Sequence, residues 1–318
     1  MNDIQVSIIL PTYNRAFCIA RTIEAILSQT FTDWELIVCD DSSSDETKNI
    51  VDSYLWRDIR VRYHRNSRRL GLPNNRNQGI NLSIGKLIYF IEDDVVLEPD
   101  CLEKLVKAFY QLKAKGSKIG AIGPRTFEPS KKGKLLQLER QVANRARQHM
   151  KIPAFIDRWT GLMFQNFALD CNRIMETPLL PSWSLFEKDA VNKVGGYECS
   201  AYNRFNYSHE ETDLFVRLMN NGYTLYFHPQ AVARHKHESR GGTRTSPIKY
   251  YYFYVGAHVV FLLRNFRWKA VYMVPSCLTF LTYNALRYSP ALVFFVGGAV
   301  TAILALAALL HPAIRKMD

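Results

Sequence analysis

The sequence predicts an α/β protein in which a doubly wound, mostly parallel sheet is flanked by helices. Three apolar runs, each of a length typical of one buried strand, occupy residues 6–10, 35–39 and 87–91. Polar residues close each run, and segments with helical spacing follow. Strands that alternate with helices in this way form parallel βαβ units, so the first half of the chain indicates a doubly wound sheet.

The helix signals fall between the apolar runs. Ile19, Ile23 and Ile26 share one helical face, so a first helix follows the first strand and ends near Thr30. Residues 42–45 offer N-cap side chains to a second helix. The remaining elements of this half are a strand at 61–65, a loop that leads into a helix within 71–85, a helix from Asp100 to about Lys115, and a strand at 118–123.

The second half of the chain is less regular. It contains a basic, partly helical insertion at 131–151, a strand with a short helix and a Gly-Gly stop at 179–198, a helix within 209–223, and an extended segment at 224–237. Periodicity alone does not assign these elements to a sheet order.

Positive charge is concentrated in one segment. The chain carries a net charge of +12, and residues 113–151 hold eleven Lys or Arg against two Glu. Such a segment is either a solvated basic loop or a surface for anionic lipid headgroups or a phosphate-bearing substrate. The sequence has no zinc-finger spacing and no aromatic RNA-binding signature, so nucleic acid is not an expected partner.

Two apolar runs close the chain. Residues 289–310 contain no charged side chain, and about 20 such residues are enough to span a bilayer. Residues 270–286 contain Pro275 and Asn284, which suit an interfacial or re-entrant segment better. A pair of core helices that closes the domain is the alternative. Because the N-terminus lacks the basic start and cleavage site of a signal peptide, we expect a protein at the cytoplasmic face of a membrane.

Three polar clusters follow the predicted strands: PTYNR at 11–15, DDSSSD at 40–45 and EDD at 92–94. In open α/β sheets, ligands bind beyond the carboxyl ends of the strands, so we expect the clusters to converge on one edge. The sequence contains neither the glycine fingerprint of dinucleotide-binding folds nor that of P-loops. The edge therefore indicates a different kind of ligand site.

The acids at 92–94 favour a divalent cation. Three adjacent carboxylates repel one another unless a positive group lies among them. On an extended segment Glu92 and Asp94 point to the same side, where they can share one Mg²⁺ or Mn²⁺ and leave sites for phosphate oxygens. The alternative is a cluster that caps the following helix, which accounts for Asp100 better than for Asp94.

The other candidate side chains are individually ambiguous. Tyr13 can stack on a nucleobase or pack in the core, and Asp41 can accept a hydrogen bond from a base N–H or cap a helix. Glu210 and Glu211 begin a predicted helix, where the helix dipole stabilises carboxylates, or they supply a general base. His235, with a second histidine two residues later, is either a further metal ligand or part of a solvated pair.

The order of five segments is similar to that of one known family. They are residues 6–47, 69–80, 88–106, 194–198 and 210–229. Together they resemble the family 2 glycosyltransferases, which have the GT-A fold, over roughly residues 4–245. The first segment and the acids at 92–94 carry most of the specificity of this resemblance.

The resemblance implies an inverting enzyme that uses Mg²⁺ or Mn²⁺. Such an enzyme moves a sugar from a nucleotide-diphosphate donor, with UDP favoured, to a hydroxyl acceptor. The basic insertion and the hydrophobic C-terminal runs add the expectation that this acceptor is a lipid-linked or cell-envelope glycan. The implied donor-binding residues are Pro11, Tyr13, Arg15, Asp41, Arg76, Asn77 and Asp93. The implied metal ligands are Glu92, Asp94 and His235, and the implied catalytic base is Glu211, with Glu210 as a second candidate.

The same resemblance implies a domain organisation. Residues 1–245 form the GT-A domain, with a nucleotide-binding half at 1–123 and an acceptor and catalytic half at 124–245. Beyond the range of the resemblance, the hydrophobic runs predict that residues 246–318 form amphipathic and hydrophobic helices that associate with the membrane.

Two departures from the family pattern leave other functions open. The base dipeptide is Glu-Glu at 210–211 instead of Glu-Asp, and the usual acceptor segment is replaced by PSWSLFEKD at 181–189. Trp183 in that segment stacks on an acceptor sugar or fills the core. The alternatives are a catalytically degenerate module that binds nucleotide sugars, or a nucleotidyltransferase, which also uses paired acids.

Overall fold

The computed structural model describes residues 4–43, 46–128, 150–238 and 247–288. The chain divides into two compact units. The first comprises Met1–Phe155, Phe164–Tyr197 and Leu214–Gly242, and the second comprises Ile156–Met163, Glu198–Asp213 and Thr243–Asp318. The domain boundaries expected from the sequence, at residues 123 and 245, stay predictions.

The described elements confirm an α/β protein. The strands are β1 (Val6–Thr12), β2 (Trp34–Asp40), β3 (Val61–Arg65), β4 (Leu87–Phe90), β5 (Val95–Leu97), β6 (Ile119–Phe127), β7 (Ala154–Ile156), β8 (Met163–Gln165), β9 (Met175–Glu176), β10 (Leu185–Glu187) and β11 (Thr224–His235). The helices are α1 (Ala16–Leu27), α2 (Glu46–Leu55), α3 (Leu72–Leu82), α4 (Cys101–Ala114), α5 (Lys188–Lys193), α6 (Glu210–Asn220), α7 (Pro247–Phe266) and α8 (Ala270–Tyr288). Single 3₁₀ turns occupy Asn203–Phe205 and Arg267–Lys269.

The main sheet is mixed, which corrects the expectation of a mostly parallel one. Its strand order is β3-β2-β1-β4-β10-β6-β11-β5, with β9 beside β11. The neighbours among β1 to β4 run parallel, as do β6 and β11. In contrast, β10 lies antiparallel between β4 and β6, and β5 and β9 lie antiparallel to β11. These antiparallel additions are two or three residues long, too short for an alternation pattern to reveal them.

Helices cover both faces of the sheet, as a doubly wound arrangement requires. Ile8 and Leu10 of β1 share one core cluster with Ile19 of α1. Ile9 points to the opposite face, since successive residues of a strand alternate. There α3 packs so closely that a Cβ on Gly79 would come within 2.3 Å of Ile9 Cγ2.

A buried carboxylate aligns the edge of the sheet where β1 and β4 begin. Glu35 accepts hydrogen bonds from Ser7 Oγ at 2.6 Å and from the Ile84 backbone N–H at 2.8 Å, and it pairs with Arg62. Ser7 Oγ in turn accepts the Gly85 backbone N–H at 2.8 Å. Because both Glu35 carboxylate oxygens and the Ser7 hydroxyl have partners, the cost of burying the carboxylate is offset.

Gly85→Ala tests this close approach. A Cβ at Gly85 would lie 2.6 Å from the Ser7 backbone nitrogen, so we expect the substitution to lower the free energy of unfolding by about 1–3 kcal/mol. Urea unfolding measures the change. The control is Ile84→Ala, because the Ile84 side chain is 64% exposed and its loss should cost less than about 0.5 kcal/mol. Equal stability of the two variants would contradict the proposed crowding.

The second unit contains two packed helices. Val255 and Val259 of α7 form an apolar cluster with Val274 and Leu278 of α8. None of the helices within the described ranges combines the length and the apolar character needed to cross a bilayer. The uncharged run at 289–310 and most of the basic insertion at 131–151 lie outside the described residues.

Two buried histidines form a hydrogen-bonded pair inside the second unit. His258 Nε2 lies 3.2 Å from the Thr160 carbonyl oxygen, and His258 Nδ1 lies 3.0 Å from His209 Nε2. A carbonyl only accepts, so His258 carries its proton on Nε2 and accepts at Nδ1 from His209. Burial lowers the pKa of His209 well below its usual value and lowers that of His258 to about 4. Both side chains are therefore neutral at pH 7.

Acid should destabilise the protein through these histidines. In the unfolded chain they take up protons below about pH 6.5, whereas the folded protein resists this until about pH 4 at His258. The free energy of unfolding should fall as the pH falls through this window, by about 1.4 kcal/mol per pH unit for each such histidine.

His258→Gln removes the contribution of one histidine to this pH dependence of stability. We expect its unfolding free energy to fall less steeply between pH 6.5 and pH 5 than that of the unchanged protein, by roughly one proton's contribution. Urea unfolding at several pH values measures both slopes. Parallel slopes would show that His258 does not titrate as its surroundings require.

Candidate functional site

The predicted polar clusters do lie at the carboxyl ends of neighbouring parallel strands. Thr12, the last residue of β1, is in register with Asp40, the last residue of β2. The next neighbour, β4, ends at Phe90, and Ile91 continues along β1 through a 3.0 Å hydrogen bond to the Ile9 carbonyl. The acids at 92–94 follow directly, so three strands deliver their polar ends to one edge.

The residues after β1 form a tight turn. Asn14 has φ 52°, the left-handed region that asparagine tolerates better than most residues. Its backbone N–H donates to Ser42 Oγ at 2.8 Å, which ties this turn to the loop after β2. Pro11 is buried within β1. Tyr13 is half-buried, and the Arg69 guanidinium lies 4.2 Å from its ring centroid. Arg69 therefore covers one face of the ring.

Asp41 is held by backbone groups of the loop that precedes α3. Its carboxylate accepts the N–H groups of Leu70 at 2.8 Å and Gly71 at 2.7 Å, and also the Asn66 side-chain amide at 3.0 Å. Asp41 is 7% exposed, and these hydrogen bonds fix its carboxylate in one orientation. A hydrogen bond from a nucleobase N–H to Asp41 stays a prediction. Such a bond would use the carboxylate lone pairs that the protein's own N–H groups leave unused.

Arg15 neutralises two of the three consecutive acids. Its Nη1 lies 2.6 Å from Asp93 Oδ1 and 3.0 Å from Asp94 Oδ2. Thr12 Oγ1 donates to Asp93 Oδ2 at 2.9 Å. Burial raises the pKa of Asp93 to about 6, despite the opposing effect of Arg15. The cluster contains the positive group that the sequence required, and it is a guanidinium of the chain itself.

Asp94 is the acid of the three whose charged form its neighbours stabilise most. Burial alone would raise the pKa of Asp94, but the hydrogen bond with His235 and the charges of His235 and Arg15 hold it well below its usual range. Its Oδ1 lies 3.2 Å from His235 Nε2, and its Oδ2 accepts the Glu238 N–H at 3.1 Å. Burial would lower the pKa of His235, but Asp94 and Glu128 raise it to about 9.

Two overlapping groups of side chains have the geometry of a metal site. Within each group, the possible ligand atoms lie within 4.8 Å of one another. The groups are Glu92, Asp94 and His235, and Glu128, His235 and His237. The first is the set that the sequence predicts. Carboxylate oxygens with one imidazole suit Mn²⁺ well, whereas Mg²⁺ prefers oxygen ligands throughout. The donor set fits a divalent cation once His235, whose raised pKa of about 9 keeps it protonated at pH 7, releases its proton to the solvent.

Arg76 and Asn77 are both anchored in the first unit. Arg76 is 1% exposed, with its guanidinium 5.0 Å from the Tyr197 ring centroid and Nη2 3.4 Å from Glu92 Oε1. The Asn77 side chain exchanges two 2.8 Å hydrogen bonds with the Tyr197 backbone. A Cβ on Gly196 would lie 2.6 Å from Asn77 Oδ1, which explains the second glycine of the Gly-Gly stop. A donor role for Arg76 and Asn77 stays a prediction.

Trp183 is in the core, one of the two alternatives for this residue. It is 5% exposed, and its indole N–H donates to Thr126 Oγ1 at 2.9 Å. Its ring packs edge-on against His235, with centroids 4.8 Å apart. The packing of Trp183 thus fixes the orientation of the imidazole ring of His235, a candidate metal ligand.

The two glutamates proposed as base begin α6, as expected. Glu210 is 2% exposed and Glu211 is half-buried, and both belong to the second unit with Asp213. Asp213 accepts hydrogen bonds from Tyr202 at 3.0 Å and Asn265 at 2.8 Å, so it has a structural role. Of the predicted residues, the structure brings together Arg15, Arg76, Glu92, Asp93, Asp94 and His235.

Sequence reasoning missed three contributors to this region. Thr12 binds Asp93, Arg69 covers Tyr13, and Glu128 lies near both histidines at the end of β11. Thr12 lies within the PTYNR segment and could have been found as a strand-end hydroxyl. Arg69 and Glu128 carry no local signal, because their importance depends on which loops meet in space.

Comparison with known proteins identifies relatives that match about a third of the chain. A GalNAc(5)-diNAcBac-PP-undecaprenol beta-1,3-glucosyltransferase from Campylobacter jejuni is 36% identical over 104 residues, which are 32% of this chain and 34% of that protein. The Escherichia coli UDP-Glc:alpha-D-GlcNAc-diphosphoundecaprenol beta-1,3-glucosyltransferase WfgD is 37% identical over 103 residues, 32% of this chain and 40% of that protein. The chain thus matches well under half the length of these relatives.

A solved structure extends the likeness to the whole fold. The mannosyltransferase PcManGT from Pyrobaculum calidifontis, in complex with GDP-Man and Mn²⁺, superposes with a TM-score of 0.58 at 16% identity, over 99% of this chain and 81% of that one. At this identity the likeness is one of fold, and it supports the GT-A-type arrangement expected from the sequence.

The family model described as Glycosyl transferase family 2 matches residues 7–169, just over half of the 318 residues. This range contains β1, β2, the acids at 92–94 and Arg15. The strand-end cluster built from those elements and the match across them lead to one conclusion: the chain belongs to glycosyltransferase family 2.

Proposed function

We propose that the protein is an inverting glycosyltransferase, which moves a sugar from a nucleotide-diphosphate donor to a hydroxyl acceptor. The observation that carries this proposal is the meeting of Glu92, Asp94 and His235, whose ligand atoms lie within 4.8 Å of one another at the carboxyl ends of parallel strands. Family membership and the fold shared with an enzyme solved with GDP-Man and Mn²⁺ support it.

The donor occupies the edge formed by the ends of β1, β2 and β4. Pro11, Tyr13 and Asp41 line the base, and Asp93 with Arg15 contacts the ribose and phosphate region, with Arg76 and Asn77 nearby. UDP is the favoured nucleotide, and the related Escherichia coli enzyme, a UDP-Glc:alpha-D-GlcNAc-diphosphoundecaprenol glucosyltransferase by name, supports that preference.

Glu92, Asp94 and His235 are the residues that would hold Mg²⁺ or Mn²⁺. A bound divalent cation would supply Lewis-acid stabilisation of the departing diphosphate. Asp94 is the direct ligand we favour, because it is 1% exposed and held in place: the Glu238 N–H binds its carboxylate and the Lys236 N–H binds its backbone carbonyl.

The transfer needs one base and good alignment. Glu211 takes the proton from the acceptor hydroxyl while that oxygen attacks the anomeric carbon from the face opposite the diphosphate. The bond from the anomeric carbon to the phosphate oxygen breaks, and its electron pair leaves with the nucleoside diphosphate. One displacement inverts the anomeric configuration. Glu210 is the second candidate for the base.

The acceptor is a lipid-linked or cell-envelope glycan. Both relatives are named for acceptors linked to undecaprenol diphosphate, which supports this class of acceptor. The basic segment at 113–151 and the uncharged run at 289–310 would keep the protein at the cytoplasmic face of the membrane, close to such an acceptor.

Asp94→Asn tests the metal site. Because the amide cannot supply the charge of the carboxylate, we expect Mn²⁺-dependent binding of UDP to weaken at least about a hundredfold. Calorimetry with UDP, GDP, dTDP and CMP, with and without Mn²⁺, measures this and ranks the nucleotides. The matched control is Asp100→Asn, six residues later and partly exposed beside Lys104, which should bind like the unchanged protein. Unchanged metal-dependent binding by Asp94→Asn would refute the assignment.

Glu211→Gln tests the base. We expect transfer to fall by about 10²–10⁴-fold, because the amide cannot accept the proton, while Mn²⁺-dependent donor binding persists. Glu210→Gln, assayed in parallel with radiolabelled donor, separates the two glutamates. Normal transfer by Glu211→Gln together with loss in Glu210→Gln would move the role to Glu210. Normal transfer by both would leave the base elsewhere.

A further inference from the structure

An exposed surface of the second unit combines aromatic and basic side chains. We call it the aromatic–basic patch. Its members are Trp159, Trp268, Val271 and Tyr272, with Arg158 and Lys269. Trp159 is 58% exposed, Trp268 is 72% exposed and Val271 is 80% exposed. Large apolar side chains that are grouped and this exposed mark an interaction site more often than single ones do.

Tyr272 connects the two tryptophans. Its ring centroid lies 6.0 Å from that of Trp159 and 6.3 Å from that of Trp268. The two tryptophans come from the turn at 157–162 and from the 3₁₀ turn between α7 and α8. Two distant parts of the sequence thus present one continuous aromatic surface.

The turn that carries Trp159 is closed by hydrogen bonds and packed against α7. One Asp157 carboxylate oxygen accepts the backbone N–H groups of Trp159 at 3.1 Å and Thr160 at 2.8 Å, and also the Thr160 hydroxyl at 2.7 Å. Gly161 completes the turn at φ 67°, where a Cβ would lie 2.2 Å from Leu262 Cδ2. The tryptophan is held outward by a packed structure.

The helical segment that carries most of the patch is basic. Residues 247–288 contain five Lys or Arg and no Asp or Glu, whereas the one acid in the Trp159 turn, Asp157, is engaged by backbone N–H groups of that turn. Lys269 Nζ lies 6.0 Å from the Trp268 ring centroid, and the Arg158 guanidinium lies 5.3 Å from that of Trp159. The nearby Arg264 is engaged by Glu198 at 2.7 Å. The patch therefore suits a partner that is apolar and negatively charged.

We propose that the aromatic–basic patch docks on an anionic lipid bilayer. Tryptophan and tyrosine rings settle at the level of the headgroups, the exposed valine reaches the acyl boundary, and the flanking cations are attracted by acidic lipids. A second copy of the chain fits less well, because it would bring two positive surfaces together. The inference uses the membrane location of the proposed function, but it depends neither on the proposed chemistry nor on residues 289–310.

Vesicle sedimentation of the full chain tests the patch. The probes are vesicles of phosphatidylcholine with and without phosphatidylglycerol. We expect Trp159→Ala/Trp268→Ala, and separately Arg158→Glu/Lys269→Glu, to lower partitioning onto the phosphatidylglycerol vesicles by at least about tenfold. Trp56→Ala is the matched control, since Trp56 is 91% exposed and has a basic neighbour, Arg57, but lies in the first unit. It should partition like the unchanged protein.

The outcomes separate the patch from the other proposals. Equal partitioning by the double variants and the unchanged protein overturns the patch and leaves membrane attachment by other segments standing. No partitioning by the unchanged protein overturns both. A change of oligomeric state in the tryptophan double variant, seen by light scattering, identifies the patch as a contact between copies and also overturns the proposal. Mn²⁺-dependent UDP binding, measured in every variant, reports separately on the fold and the catalytic unit.

Discussion

Repulsion among the consecutive carboxylates of Glu92, Asp93 and Asp94 is the constraint around which the first unit is organised. Arg15 relieves it from one side, because its guanidinium contacts both Asp93 and Asp94. His235 relieves it from the other side through Asp94. These two partners come from the turn after β1 and from the end of the last strand of the sheet. The acids therefore fix the relative positions of early and late segments of the chain.

Much of the surrounding polar network orients these groups before any ligand arrives. Trp183 packs on the His235 ring, Thr12 binds Asp93, and backbone N–H groups bind Asp41 and Asp94. A site whose dipoles and charges are already aligned loses little free energy to reorganisation when a ligand binds. This explains why so many strand-end residues here are buried although their chemistry is polar.

Local sequence patterns predicted the elements better than their arrangement. The strand at 61–65 and the helices within 16–27 and 101–114 follow from apolar spacing, which depends only on near neighbours. The antiparallel insertion of β10 could not be predicted, because a strand of three residues has no readable period. The proximity of His235 to Asp94 followed from family resemblance, since 140 residues separate them in the sequence. Glu128 had neither kind of signal, because its position depends on how β6 ends beside β11.

The pairing of β5 with β11 has a consequence for the order in which the site is completed. Val95, directly after the acids, is in register with His235, and the Lys236 N–H donates to the Asp94 carbonyl at 2.8 Å. The imidazole therefore reaches the acids only after the last strand of the sheet has docked. A cation that needs all three ligands would bind the finished sheet and not its precursors, so its binding would stabilise the finished sheet relative to every state in which β11 is undocked. By this linkage, a chain truncated before β11 would have every acid of the cluster and would still lack the site.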